Sequence, residues 1–340
     1  MKRLPPWLRN PWLWQVIIAV ALVALAVWQT DTGKIADSLQ RVRPEWLLIA
    51  LLIYMTLRFM QAGETRIALS KVGHIGIFPL YGVLFVGSLV NAVLPANMGD
   101  VAKVQIMANR FGLPRAGLVA SRGAESVVNA FMFVVFVVIG LVLARGQDNG
   151  GSSQLVLAGV SLTFCAVLIA VAVFMPKELP NWRWLRRLPD GFEDGLRDQW
   201  PRIHGGFEAV RQPRLLSFLL LLNVVGWLFE VSMYWAYGHA FNLDVPVGAY
   251  VSVAVVVALV TTFPITFGNV GSWEVGLIAA LRIYDVPADE ALAYAVGVHV
   301  FVALFNIGLG LVSMLLLGVR PRDLLRVKGS PEQPTPATTG

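Results

Sequence analysis

The sequence predicts an all-α polytopic membrane protein with about eight transmembrane helices and two broken or re-entrant helical units in an inverted repeat. Hydrophobic residues make up 56% of the 340 residues, charged residues only 14%, and the mean hydropathy is +0.67. Long apolar runs recur along the chain, and two of them are interrupted by the same pattern of proline and glycine. This composition is typical of polytopic membrane proteins and excludes an ordinary soluble domain.

The apolar runs match the length that a bilayer requires, which is about 20 helical residues. The first run follows Met1-Lys-Arg and has the outline of a signal peptide, but it starts at Trp12 and many more spans follow it. We therefore predict that it is retained as a first helix. The candidate spans are residues 12–30, 45–62, 77–95, 126–145, 154–175, 214–241, 246–263 and 297–318.

Residues 1–322 are expected to form a single integral membrane domain. Its main hydrophilic excursion, residues 177–213, is rich in Arg and is predicted to be an amphipathic cytoplasmic segment on the membrane surface. Residues 323–340 are rich in Ser, Pro, Thr and Gly, which predicts a disordered cytoplasmic tail. The single cysteine, Cys165, lies in an apolar run, so we expect no disulfide framework and no thiolate metal site.

The two interruptions share a proline, a glycine four residues later, and a second proline. They define a first broken unit at 95–125, with Pro95, Gly99 and Pro114, and a second at 264–296, with Pro264, Gly268 and Pro287. Backbone groups freed from a helix are tolerated at membrane depth only against protein or a wet cavity. Paired interruptions in two halves of a chain therefore indicate a transport site.

The positions of Lys and Arg predict the orientation of the chain in an inner membrane. The amino terminus, the loop around Arg66 and Lys71, the segment 177–213 and the carboxyl terminus are all expected to be cytoplasmic. These placements agree only if each broken unit makes a net crossing, although a re-entrant unit stays open as the alternative. With crossings, the two units are antiparallel, as in the inverted repeats of secondary transporters.

Ionisable side chains at membrane depth cost roughly 2.5–3.5 kcal/mol each on insertion scales, so each needs a partner or a cavity. They are candidates for binding a substrate headgroup, with an internal ion pair as the alternative. Arg122 and Glu125 are three residues apart and could pair on one helix face. The substrate-binding candidates are Asp100, Lys103, Arg110, Arg122, Glu125, Glu230, Glu274 and His299.

Other residues are assigned backbone or interfacial positions. Pro95, Gly99, Pro264, Gly268 and Gly271 are expected to break the helices, since proline ends a helix and glycine allows a sharp turn. Helix starts after Gly99 and Gly271 would direct N–H groups towards a phosphate. Two further residues, Arg58 and Glu64, lie at the inner end of the second span and are expected to meet water.

Both interruptions resemble motifs of a known family. Leu94-Pro95-Ala-Asn-Met-Gly99-Asp100-Val-Ala-Lys103 and Pro264-Ile-Thr-Phe-Gly268-Asn-Val-Gly271-Ser-Trp-Glu274 are similar to the flippase-like membrane domain related to the transmembrane region of lysylphosphatidylglycerol synthases. The resemblance covers residues 13–318. It implies translocation of a lipid with a charged headgroup, which is aminoacylated phosphatidylglycerol in the best-known members. The family often has Arg where Ser126 and His299 stand here.

The leading functional hypothesis is a lipid transporter or flippase. Lys103 and Arg122 would hold a headgroup phosphate, and the acidic candidates would bind a cationic headgroup moiety or exchange protons. The expected partner is a membrane lipid with an anionic or zwitterionic headgroup. We expect no cofactor, no metal and no nucleic acid, and the oligomeric state stays open. No aminoacyl-transferase domain precedes Gly340, so we expect no synthesis of the aminoacylated lipid by this chain.

Two other classes of function are weighed against transport. One is a non-catalytic subunit that recruits a glycosyltransferase or synthase through residues 177–213. The other is an enzyme acting on lipid phosphates, since Lys103 and Arg110 have the Lys-x6-Arg spacing of some lipid phosphatases. Phe111 stands where that pattern has proline, and no histidine follows Ser121-Arg122 at the distance required of a nucleophile. We therefore expect the protein not to be an enzyme.

Overall fold

The computed structural model describes residues 41–94, 97–144, 159, 200–201, 211–262 and 266–320. The principal helices of this part are α1 (Pro44–Ala68), α2 (Ile77–Val93), α3 (Met98–Phe111), α4 (Arg115–Leu143), α5 (Pro213–Ala240), α6 (Val247–Thr262), α7 (Ser272–Arg282) and α8 (Ala288–Leu316). The predicted spans 12–30 and 154–175, most of the segment 177–213, the tail 323–340, Pro95 and Pro264 lie outside the described residues.

The all-helical membrane architecture predicted from the sequence is confirmed. Four helices of the described part are long and apolar enough to cross a membrane: Pro44–Lys71, Arg115–Leu143, Pro213–Ala240 and Ala288–Leu317. The apolar helices α2 and α6 are shorter, with 17 and 16 residues, which corresponds to roughly 25 Å. The total of about eight spans stays a prediction.

Helix lengths recur in the same order in the two halves of the described chain. Helices α1 to α4 have 25, 17, 14 and 29 residues, and helices α5 to α8 have 28, 16, 11 and 29. In each half, therefore, a short apolar helix is followed by a break, a still shorter helix and a long final helix. The two broken units of the sequence occupy corresponding places in this order.

The first break folds α3 back onto α2. Helix α2 ends at Val93, and Asn97 adopts the left-handed conformation with φ 52°. The backbone N–H of Gly99 then donates to Asn91 Oδ1 at 2.6 Å. A Cβ atom at Gly99 would lie only 2.0 Å from the carbonyl oxygen of Gly87. The close approach of α3 to α2 thus gives a physical reason for glycine at position 99.

The second break is a turn built from left-handed residues. Gly268, Asn269 and Gly271 have φ of 57°, 61° and 82°. A positive φ is common for glycine and is tolerated by asparagine. Helix α7 begins immediately afterwards at Ser272. The chain therefore reverses direction here without a long loop.

Each short helix is joined to the following long helix by the same local structure. A left-handed residue, Gly112 or Asp285, comes two positions before the proline that precedes α4 or α8. The prolines Pro114 and Pro287 are the N-caps of these helices. Because the residue before a proline avoids the helical region, both junctions end the short helix sharply.

Helices α1 and α5 pack side by side in antiparallel directions. At one end, Arg43 N donates to Ala240 O at 3.0 Å. Near the other end, Gly63 of α1 faces Leu222 of α5, since a Cβ at Gly63 would lie 3.7 Å from the Leu222 side chain. The loop after α1 and the loop after α5 therefore lie at opposite ends of the helix bundle.

Helices α2 and α8 are also antiparallel, and so are α4 and α6. Gly82, near the start of α2, faces Leu317 after α8, whereas Leu89 packs on Gly310. In the other pair, the end of α4 at Leu143 contacts Gly248 at the start of α6. The contact between the second helix of one half and the fourth helix of the other half therefore occurs twice.

The helical hairpin of α2 and α3 returns to the end of the bundle from which it started. Leu113, which follows α3, packs against Gly73, which precedes α2, and Val72 packs against Gly117 of α4. Helix α4 then runs from this end to the opposite one. Helix α3 is thus the returning limb of a hairpin between the break and this end. Whether residues 95–125 cross the membrane or re-enter on the same side stays a prediction.

The two ends of the bundle differ in charge. At the end where α1 and α3 finish and α4 and α5 start, the charged residues of the described terminal turns and loops are Arg66, Lys71, Arg110, Arg115, Arg211, Arg214 and Arg320. At the opposite end they are Arg41, Arg43, Glu45, Asp244, Arg282, Asp285, Asp289 and Glu290. One end is therefore strongly basic and the other is mixed.

The two breaks meet inside the bundle. Asn97 Nδ2, in the first break, donates to the backbone oxygen of Thr261 at the end of α6, at 3.3 Å. A Cβ atom at Gly268, in the second break, would lie 3.6 Å from the carbonyl oxygen of Ala92. The fold thus brings together the two interruptions that the sequence separates by more than a hundred and fifty residues.

Replacing Gly99 by alanine should destabilise the fold by about 1–3 kcal/mol, because the added methyl group would overlap the Gly87 carbonyl oxygen. The measurement is thermal unfolding of the purified protein in detergent. Gly308→Ala is the matched control, since Gly308 lies in a helix and a Cβ there would meet open space. Equal melting temperatures for the two variants would contradict the packing described for the first break.

Candidate functional site

A polar cavity of about 480 Å³ lies where the two breaks meet. Helices from both halves contribute to its wall, and so do residues of the second break. The polar and charged lining residues include Tyr54, Arg58, Gln61, Asn91, Asn97, Asp100, Lys103, Arg122, Glu230, Thr261, Thr266, Asn269, His299 and Asn306. A cavity of this size suits a small polar group such as a lipid headgroup.

Two cations and two carboxylates form a linked ion-pair network beside the first break. Lys103 Nζ lies 2.5 Å from Asp100 Oδ1, and Arg122 Nη2 lies 3.3 Å from the same oxygen. Arg122 also bonds Glu125, as the three-residue spacing predicts. Asp100 is the most accessible member, with 48% of its side chain exposed, whereas Glu125 is 6% exposed. The positive charges of Lys103 and Arg122 are therefore already balanced within the protein.

Ser126 does not take part in this network. Its hydroxyl donates to the backbone oxygen of Arg122, and its side chain is exposed on the outer face of α4. The arginine that faces the cavity is Arg122, one helical turn earlier. The guanidinium that this helix supplies to the cavity therefore comes from Arg122 and not from position 126.

Arg58, predicted from the sequence at the inner end of the second span, lines the cavity. Its Nε donates to Tyr54 Oη at 2.9 Å and its Nη1 donates to Gln61 Oε1 at 2.9 Å. The guanidinium carbon lies 5.0 Å from the centre of the Tyr54 ring, in a cation–π contact. Among the described residues, no carboxylate lies within ion-pair distance of Arg58. This guanidinium therefore presents to the cavity a positive charge that is not held in an ion pair.

The sequence did carry a signal for Arg58. Tyr54, Arg58 and Gln61 follow one another at intervals of four and three residues, which places them on one face of α1. A polar stripe of this kind on an otherwise apolar transmembrane helix indicates a cavity. Tyr54 extends the stripe to another helix, because its hydroxyl donates to Asn306 Oδ1 on α8.

Glu230 is the acidic counterpart of Arg58. It lies in the middle of the apolar helix α5 and lines the same cavity. Its carboxylate has no hydrogen bond or ion pair within the described part of the chain. The cavity therefore contains one cation and one anion, Arg58 and Glu230, that are not paired at contact distance with an opposite charge.

Glu274 and His299 hold the second break together. Glu274 Oε2 accepts a hydrogen bond from Gly271 N at 2.7 Å, and its Oε1 lies 2.6 Å from His299 Nδ1. His299 Nε2 lies 3.1 Å from the backbone oxygen of Gly268. The ring of Trp273 stacks on His299 with 5.1 Å between ring centres. These contacts tie α7, α8 and the turn into one unit.

The hydrogen-bond partners of Glu274 and His299 determine how many protons these two side chains carry together. A carbonyl oxygen only accepts, so Nε2 of His299 donates to Gly268 O. The Nδ1···Oε1 contact then requires one more proton, on the imidazole or on the Glu274 carboxyl group. The pair is neutral overall in both cases. Its polar atoms are occupied, so Glu274 and His299 act as positioning residues of the break.

The sequence predicts that backbone N–H groups at the starts of α3 and α7 bind a phosphate. In the structure these N–H groups already have partners within the protein. Gly99 N donates to Asn91, Asp100 N donates to Asn97 O at 3.0 Å, and Gly271 N donates to Glu274. An anion in the cavity therefore meets cationic side chains, not these three N–H groups.

Arg110 lies apart from the other candidates. It is exposed at the end of α3, at the basic end of the bundle, where one of its guanidinium nitrogens lies near Gly318. The structure thus brings together Asp100, Lys103, Arg122, Glu230 and His299 around the cavity, with Glu125 and Glu274 directly behind them, and leaves Arg110 outside. Within the described residues, no group of three His, Cys, Asp or Glu side chains could hold a metal ion.

Comparisons with known proteins agree with these features. The family model described as the lysylphosphatidylglycerol synthase transmembrane region matches residues 12–310, a range that contains both breaks and the whole cavity. A UPF0104 membrane protein of Methanothermobacter thermautotrophicus is 21% identical over 316 residues, which cover 86% of this chain and 91% of that protein. The chain therefore belongs to the family of membrane proteins defined by the lysylphosphatidylglycerol synthase transmembrane region.

Proposed function

We propose that this protein translocates a membrane lipid with a phosphate-containing headgroup, and that the headgroup binds in the cavity between the two breaks. The observation that carries this proposal is the cation Arg58 and the anion Glu230, neither of which has an opposite charge at ion-pair distance among the described residues, at the place where the two broken units meet. Membership of a lipid-related membrane family supports the same function.

The cavity chemistry favours a zwitterionic headgroup. Arg58 offers a planar guanidinium to a phosphate, which it can bind through two parallel hydrogen bonds. Lys103 and Arg122 lie in the same wall, and their charges are balanced by Asp100 and Glu125. Glu230 offers a carboxylate to the amine of the headgroup. The acyl chains would stay in the bilayer while only the headgroup enters the cavity.

We propose further that the two halves form an inverted-topology repeat. Helices α1 and α5 correspond in order and pack antiparallel, and the antiparallel contact of α2 with α8 has its counterpart in α6 with α4. This is the arrangement that an axis in the membrane plane would produce. Rocking of one half against the other would then expose the cavity to the two sides alternately.

The charge difference between the ends supports a cytoplasmic basic end in an inner membrane. The loop from Leu69 to Gly76 and the chain after Leu317 would then be cytoplasmic. With residues 12–30 as a first span, the amino terminus would lie on the same side. The recruitment of a lipid-modifying enzyme through residues 177–213 stays a separate hypothesis.

Arg58→Gln should lower the rate of lipid translocation at least about tenfold, because it removes a charge-assisted contact of roughly 1.5–3 kcal/mol with the phosphate. The assay measures fluorescently labelled phosphatidylethanolamine that becomes protected from a membrane-impermeant quencher in liposomes. Arg110→Gln is the control, because Arg110 is an exposed arginine outside the cavity. An unchanged rate for Arg58→Gln would refute binding of the phosphate at this side chain.

Glu230→Gln should affect headgroups selectively. The variant should slow the translocation of phosphatidylethanolamine at least about fivefold more than that of phosphatidylglycerol. Phosphatidylethanolamine carries an amine that would lose an ion pair with Glu230, whereas phosphatidylglycerol carries none. The same liposome assay with the two labelled lipids gives this ratio. Equal slowing of both lipids would show that Glu230 acts on the protein structure and not on the amine.

Single cysteines should distinguish the proposed topology. In a Cys165→Ser background, Lys71→Cys should be labelled by a membrane-impermeant thiol reagent only in inverted vesicles, and Asp244→Cys only in intact spheroplasts. Both native residues are exposed, and they follow α1 and α5, respectively. Labelling of both cysteines from one side would contradict the inverted repeat.

A further inference from the structure

We propose that Glu64 and Glu125 form a buried site that binds one proton, and that Arg122 couples this site to the headgroup cavity. The coupling rests on the proposed function, whereas the proton site itself does not. Neither the family resemblance nor the cavity wall includes Glu64.

Glu64 lies near the end of α1 and is only 8% exposed. A chain of amide side chains connects it to α4 through α5. Asn223 Nδ2 lies 3.5 Å from Glu64 Oε1 and donates to Asn129 Oδ1 at 2.7 Å. Asn129 Nδ2 in turn donates to the backbone oxygen of Glu125 at 3.1 Å. The cluster therefore joins three helices through polar contacts at membrane depth.

This cluster contains more acceptors than donors. Glu125 Oε1 and Asn223 Oδ1 are buried and have no hydrogen-bond partner. Glu64 has a single contact, at the outer limit of hydrogen-bond distance. A buried acceptor without a donor costs about 1–3 kcal/mol. One proton on either carboxyl group would supply an O–H donor where the cluster lacks one.

The charges lead to the same conclusion. The charged groups that act on Glu64 are Glu125 and Arg122, both on α4, whereas α5 contributes the neutral Asn223. Arg122 is bonded to Glu125 and Asp100, and Lys103 is bonded to Asp100. Two cations therefore face three carboxylates, and one proton makes the cluster neutral.

Arg122 provides the connection to the cavity, because it lines the cavity and also pairs with Glu125. An anionic headgroup that binds Arg122 competes with Glu125 for the guanidinium. With its contact to Arg122 weakened, the Glu64–Glu125 site then binds a proton more tightly. By reciprocity, proton binding at Glu64 and Glu125 frees Arg122 for the headgroup, so the two events promote each other.

Infrared spectroscopy of the purified protein without added lipid tests the proton site. The wild type should show the C=O stretch of a protonated carboxyl group at neutral pH, and this band should lose intensity in Glu64→Gln. The matched control, Glu290→Gln, removes an exposed glutamate and should keep the band. Identical bands in the wild type and Glu64→Gln would overturn the proposal. The glutamine carries an N–H donor, so this variant also satisfies the buried acceptors.

A second measurement uses the wild type and needs no folded variant. Dicyclohexylcarbodiimide reacts with protonated carboxyl groups in apolar surroundings, and mass spectrometry locates the adduct. Modification of Glu64 or Glu125 should be strong at neutral pH and fall at least about fivefold at alkaline pH. Absence of modification at both residues, at every pH, would overturn the proton site.

The coupling has its own readout. Translocation of labelled phosphatidylglycerol by the wild type should change at least about threefold between mildly acidic and alkaline pH, and Glu64→Gln should show a flat profile. A pH dependence that persists in Glu64→Gln would overturn the coupling. If the wild type moves no lipid, the proposed function fails, while the infrared and carbodiimide results still decide the proton site.

Discussion

Backbone polar groups that leave a helix inside a membrane must find partners within the protein, and the rest of this structure follows from that constraint. At the first break, Asn91 accepts from Gly99 N, and Asn97 donates to the end of α6. At the second, Glu274 and His299 bond the turn on both sides. Each break is closed largely by its own half, and the bond from Asn97 to Thr261 joins the two breaks at the cavity.

The polar side chains around the breaks also lower the free-energy cost of placing charged side chains inside the membrane. A lone arginine at membrane depth is costly, but Arg58 is held by Tyr54 and Gln61, and Tyr54 is held by Asn306. The network of Asp100, Lys103, Arg122 and Glu125 balances its own charge. Charges can thus be retained beside a water-accessible cavity at a modest cost, and those without a contact partner remain available to a ligand.

The sequence predicted the parts of this arrangement that depend on local chemistry. Proline, glycine and spacing identified both breaks, and the three-residue interval identified the Arg122–Glu125 pair. Contacts between distant segments could not be inferred, because nothing in the local pattern of Arg58 shows which helices surround it. Glu64 was likewise assigned to water, although α4 and α5 bury it. Burial of a polar residue in a membrane protein is decided by its neighbours in space, not by its place in a span.

The two breaks occupy corresponding places in the two halves but differ in the chemistry that closes them. Asn91 is a neutral amide, so the first closure holds the same charge at any pH. The second closure uses Glu274 and His299, which together require one proton to make both of their contacts with each other and with Gly268. Corresponding breaks in the two halves are therefore closed by different side-chain chemistry, a neutral amide in one and a pair that shares a proton in the other.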